Sequence, residues 1–229
     1  MVEDRVIHVD DLAVSITWKR MKNIRLRIIP PGGKVVVSAP LGLPPGRISR
    51  FVREQRPWID QKREQLREMA LDADRFEDGG RARLWGRWYD VEHERGNRAC
   101  AWVAGYRLII AGAGEVARER AIARFRRSEM ERVSQPLLDS WVPVMGVPRP
   151  ALIRYRAMRT RWGSCNRRTG AITLNTALVR FPVAALEYVV VHELAHLKHA
   201  GHGKEFWSLV AAAIPDHLER RRRLNTYTM

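Results

Sequence analysis

Hydrolytic chemistry is concentrated in His192, Glu193 and His196, which form H-E-x-x-H, and in His199, His202 and Glu205 just after them. Each residue of an α-helix turns by about 100° and rises about 1.5 Å. His192 and His196, at i and i+4, therefore share one face, about 6 Å apart, and both imidazoles can reach one ion. Glu193 stands beside them. Zinc held by three protein groups keeps its fourth position for water and brings that water's pKa to about 7. A neighbouring carboxylate can then take the proton as the water attacks.

The third ligand has to come from beyond the helix. Ala200-Gly201 should end it, because glycine is common just past a helix terminus, where φ is positive. The chain can then double back and bring His202 to the metal. His199 competes, but on a continuing helix its ring would point along the axis; Glu205 is the remaining candidate.

These residues need a scaffold, and 229 residues suffice for one large domain or two small ones. A hydrophobic share of 45% with 29% charged residues is that of a globular protein. The N-terminus lacks the apolar core of a secretory signal, and no apolar run approaches the roughly 20 residues of a membrane span. Cys100 and Cys165 are the only cysteines, which gives no disulfide framework and makes the cytoplasm the default compartment. A formal charge of +16 draws polyanions, nucleic acid among them, unless the arginines merely coat solvated helix faces, as at 118–132 and 220–223.

Alternation of apolar and polar residues predicts one or two strands over 5–18 and a hairpin of 24–28 with 34–38 about Pro30-Pro31-Gly32-Gly33. A helical stripe of Ile48, Val52, Ile59 and Leu66 follows, with a break expected after Arg56 at Pro57. Residues 72–81 look like a connector, and strands are expected at 83–91, 101–103 and 107–111. A long helix comes next, carrying Ile122, Phe125, Val133, Leu137 and Trp141 on its core face and ending over 143–150. Residues 152–156 form a strand, and 171–175 pair with the segment before the turn at 166–170. The edge of such a hairpin, beside the metal helix, could hold an extended substrate. Pro182 suits the first turn of that helix, which is expected to run to about Ala200, with another helix from Phe206 to Pro215. No internal repeat is visible.

Arg161-Trp162-Gly163-Ser164-Cys165, Gly170-x-Ile172-x-Leu174-Asn175, Pro182, Tyr188-Val189-Val190-x-His192-Glu193-Leu194-Ala195-His196 and His202-x-x-x-Phe206-Trp207 together resemble the YgjP-like metallopeptidase family, zincin-type proteins related to the SprT and WLM groups. The specific part of the resemblance spans about 156–207. It implies an α+β fold: a zincin-like domain, placed at 81–229, and an N-terminal β-hairpin and helix subdomain at 1–80, or one continuous unit. It also implies zinc at His192, His196 and His202, with Glu193 as base. The spacing from His196 to His202 matches the metzincins, but His199 stands where they have glycine, and no internal methionine follows for a Met-turn.

Around the motif, Tyr188 either meets a transition-state oxygen or fills the core, and Cys165 is a redox handle or packing. Arg159 and Arg161 pair with a substrate anion or decorate the surface, and Trp162 and Trp207 stack on a base or pack beside the site. The expected function is a zinc metallohydrolase, foremost a peptidase acting on polypeptide. Nucleoside-triphosphate pyrophosphatase activity and a nucleic-acid-associated protease activated by DNA are the alternatives. The absence of a G-x-x-x-x-G-K loop weighs against the nucleotide reading.

Overall fold

A computed structural model describes residues 3–29, 32–71 and 73–227. Contacts divide the chain into two units, 1–73 and 74–229.

In the first unit, strands β1 (Glu3–Val9) and β2 (Leu12–Lys19) pair antiparallel, turning through Asp10 at φ 56°. Strands β3 (Arg25–Ile29) and β4 (Lys34–Pro40) form the expected hairpin, although Pro30 and Pro31 of its turn lie outside the described residues. β2 and β4 run parallel, giving the order β1-β2-β4-β3. Val14, Ile16, Val35 and Val37 bury one face of this sheet. Helices α1 (Pro45–Glu54) and α2 (Arg56–Leu71) add Ile48, Val52 and Ile59 to the same core. The break between them falls at Gln55 rather than after Arg56. Pro57 is accommodated in the first turn of α2, where its missing N–H has no helical partner to lose.

The second unit repeats that topology without repeating the sequence. Strands β5 (Arg81–Leu84), β6 (Arg87–Glu94), β7 (Cys100–Ala104) and β8 (Arg107–Ala111) are ordered β5-β6-β8-β7, with a parallel pair between two antiparallel ones. The single strand expected over 83–91 is thus a hairpin, closed by Trp85 and Gly86 at φ 52° and 82°. Two residues of positive φ match the right-handed twist of the flanking strands. Helix α3 (Glu115–Met145) follows, with Pro136 and Pro143 inside it and Gly146 as a left-handed cap.

A three-stranded sheet, ordered β10-β11-β9, is built from β9 (Leu152–Arg156), β10 (Gly163–Asn166) and β11 (Ala171–Asn175). A 3-10 turn, Thr176–Arg180, leads through Pro182 into α4 (Val183–Lys198). Helix α4 is hydrophobic nearly all round because it is packed nearly all round, against α3, β10, β11 and the two helices that follow, α5 (Lys204–Ala213) and α6 (His217–Thr226). Its start is anchored by Asp74, whose buried carboxylate reaches Arg180 at 2.9 Å, Arg126 at 3.2 Å and Arg83 at 3.6 Å. The supposed connector at 72–81 is therefore tied into the core of this unit at Asp74; Asp72 itself lies outside the described residues. Among the described residues no helix is long and apolar enough to cross a membrane.

Candidate active site

Helix α4 ends two residues earlier than the glycine suggests, at Lys198, because His199 takes an extended conformation (φ −117°, ψ 123°). The chain then returns through Gly201 and Gly203, and His202 arrives beside the helix. The ligand-capable nitrogens of His192, His196 and His202 lie within 4.8 Å of one another, and Nε2 of His192 is 3.1 Å from Nε2 of His202. Phe206, fully buried, packs under all three imidazoles with ring centroids 4.7–4.9 Å away.

The protonation pattern suits a cation. Burial, then the neighbouring His196, His202 and Arg221, pushes the His192 imidazole down to about 3, so it is neutral at physiological pH. Its Nδ1 is buried with no hydrogen-bond partner among the described residues. His196 donates Nδ1–H to the His199 carbonyl at 3.1 Å, which leaves Nε2 bare towards the cluster. His199 thus contributes its backbone; its ring faces Glu205 at 3.5 Å, and that carboxylate is largely exposed.

Glu193 sits 5% exposed, and burial lifts its carboxyl to about 8 against the opposing charge of Arg161. It faces Gly163, the first residue of β10, whose missing side chain is what allows the strand to lie on the helix. Asn175, fully buried, holds the segment before β10: its Nδ2 donates to the Met158 and Arg161 carbonyls, and its Oδ1 accepts from the Met158 and Ala177 amides.

A cleft of about 190 Å³ opens here, lined by Trp162, Tyr188, His192, Glu193, Arg221 and Asn225 among others. Trp162 packs edge-on to Phe181, 5.4 Å between centroids, and lines the cleft. Tyr188 is buried one turn before His192, its ring 5.9 Å away. Arg159 and Arg161 are exposed and are not among the cleft-lining residues, although the charge of Arg161 reaches Glu193. Trp207 stacks on His202 at 5.8 Å. Burial raises the Cys165 thiol to about 11, with Glu193 adding to the effect, so it is not a reactive thiolate. Arg221 also lines the cleft, a place that its position in the run Arg220-Arg221-Arg222-Arg223 does not signal in the sequence.

The profile of the YgjP-like family, described as its metallopeptidase domain, matches residues 22–227. The chain belongs to the YgjP-like metallopeptidase family. Membership places it among metallopeptidases, hydrolases that work with a bound metal ion. Two solved structures resemble part of the chain. The metallopeptidase zymogen of Pyrococcus abyssi abylysin is 29% identical, over 40% of this chain and 91% of that one, with a TM-score of 0.38. That of Methanocaldococcus jannaschii jannalysin is 20% identical, over 40% and 92%, with a TM-score of 0.36. No curated protein sequence gives a significant match.

Proposed function

We propose that this YgjP-like metallopeptidase is a zinc enzyme in which His192, His196 and His202 hold the ion and Glu193 is the general base. The observation that carries the reading is the meeting of three imidazole nitrogens within 4.8 Å beside a buried carboxylate. The donor set fits zinc: imidazoles, two of them part-buried and one exposed, with one ring oriented by a backbone carbonyl. Zinc held there supplies a Lewis acid that polarises a carbonyl and acidifies a water.

The chain's own residues supply the rest. Glu193, buried beside the imidazole cluster, takes a proton from the attacking water and returns it to the leaving amine. Among the described residues strand β10 pairs with β11 on one side only, so its other edge can hydrogen-bond an extended polypeptide across the face of α4. Phe206 packs against all three imidazoles and Trp162 lines the cleft, so apolar rings border the site. An extended, unfolded polypeptide is the substrate class this arrangement suits.

The test is incubation of a denatured protein with metal-stripped and zinc-reconstituted enzyme. Fragments that appear only after reconstitution support the reading; a fully zinc-loaded protein that yields none refutes it.

A further inference from the structure

Helix α6 carries its arginines in different settings. Arg220 pairs with Glu187 and Asp216, and Arg223 with Glu219. No carboxylate pairs with Arg221 among the described residues. Its guanidinium carbon lies 5.0 Å from the centroid of the Trp207 ring, which itself stacks on His202. Arg221 lines the same cleft as Tyr188, His192 and Glu193. The Tyr188 hydroxyl has no hydrogen-bond partner among the described residues.

A carboxylate and a guanidinium thus reach one site from different elements. Glu193 faces β10 at Gly163, whereas Arg221 stands on Trp207 and lines the cleft beside Tyr188 and His192. A peptidase needs this division: a base on one side, and hydrogen-bond donors where negative charge develops on the other. Guanidinium has several N–H donors in a fixed fork and never loses its charge near neutral pH, and phenol adds one more.

We propose that Arg221, with Tyr188 beside it, receives the oxygen that becomes negatively charged when water adds to the scissile peptide carbonyl. The assignment rests on the peptidase reading above. In the step, the water oxygen bonds to the carbonyl carbon, one water proton passes to Glu193, and the C=O π pair moves onto the carbonyl oxygen. Collapse returns that pair, the C–N bond breaks, and Glu193 gives its proton to the leaving amine; the second water proton stays with the acid product. Arg221 and Tyr188 hold the charged oxygen between the two events. Their contribution is felt in the transition state rather than in substrate binding.

The experiment compares zinc-loaded wild type with Arg221→Ala, Arg221→Lys, Tyr188→Phe and Arg222→Ala, the last a neighbouring position outside the cleft. Zinc affinity and melting temperature are read first, then kcat and KM on an unfolded polypeptide. Calorimetry follows with two probes: a peptide phosphonamidate, which carries a tetrahedral anion, and the matching neutral peptide amide. Arg221→Ala is expected to lower kcat by about 10²- to 10³-fold with KM nearly unchanged. It should weaken the phosphonamidate by a similar factor and leave the neutral peptide, zinc affinity and melting temperature alone. Lysine should recover part of the loss, Tyr188→Phe should show a smaller defect of the same kind, and Arg222→Ala none. A loss confined to KM, equal weakening of both probes, or loss of zinc overturns the assignment. Should the wild type cleave no polypeptide, the peptidase reading fails separately. The phosphonamidate still tests Arg221 in that event, and an affinity indifferent to Arg221→Ala overturns the proposal.

Discussion

Glu193 and Gly163 touch: a β-carbon built on Gly163 would stand 2.6 Å from Glu193 Oε1 and 2.8 Å from its Cγ. The edge strand and the carboxylate therefore hold each other in place, and the same β-carbon would also meet Val189 Cγ1 at 2.8 Å. Gly163→Ala should destabilise the protein by about 1–3 kcal/mol through overpacking. Because misplacing a catalytic group by about 1 Å can cost about 100-fold, turnover should fall at least about tenfold. Thermal melting and a steady-state assay of the one variant check both numbers; full activity in Gly163→Ala would show that the contact does not fix the carboxylate.

The two histidines after the helix should behave differently. His202 joins the imidazole cluster, while His199 offers its carbonyl to His196 and turns its ring to Glu205. His202→Ala should lower zinc affinity on the order of 100-fold or more, since losing even an outer partner of a ligand costs about 10- to 100-fold. His199→Ala keeps the carbonyl and should stay within about threefold of wild type. Competition with a chromophoric chelator measures both.

In the metal-free protein the buried Glu193 carboxyl is raised from 4.5 to about 8. The folded state then binds more protons than the unfolded state between those values, so stability falls as pH rises from 4.5 through 8 and levels off above. Glu193→Gln removes that titration. Under chelator it should match wild type below pH 4.5 and exceed it at pH 8–9 by on the order of a few kcal/mol. Melting curves across that range decide it, and parallel curves for the two proteins would contradict it.

Asn175 fills its buried amide with bonds to both sides of the segment leading to β10. Asn175→Ala leaves the Met158 and Arg161 carbonyls without this donor and the Met158 amide without its acceptor. A loss of about 2–4 kcal/mol in chemical denaturation is expected, together with reduced turnover as the strand edge loosens. Zinc affinity should change little, because none of the three histidines depends on that segment.

Much of the fold was legible where one period dominated. Alternation marked β2, β3 and β4, and the helical stripe Phe125, Val133, Leu137, Trp141 marked α3, whose two prolines the packing tolerates. The β5–β6 turn was hidden because Trp85, at positive φ, is a bulky residue that gives no turn signal. The doubled sheet topology was hidden too, since strand order depends on which hairpins dock in parallel and not on repeated residues. At the site, the i, i+4 step and the trailing glycine anticipated how His192, His196 and His202 meet. Arg221 had no such signal: its position depends on α6 packing against α4, a contact that no local spacing encodes. Gly163 stood inside a recognisable motif, but its reason, the contact with Glu193, is tertiary.

Under the proposed function, Glu193, beside a zinc held by His192, His196 and His202, hydrolyses peptide bonds. The most direct test is the difference between wild type and Glu193→Gln, both shown to carry one zinc, on an unfolded polypeptide and on a panel of nucleoside triphosphates. Polypeptide cleavage by wild type is expected, reduced by at least about 10²-fold in Glu193→Gln, with no Glu193-dependent nucleotide turnover. Cleavage that survives the substitution, or Glu193-dependent release of pyrophosphate with the polypeptide untouched, would contradict it.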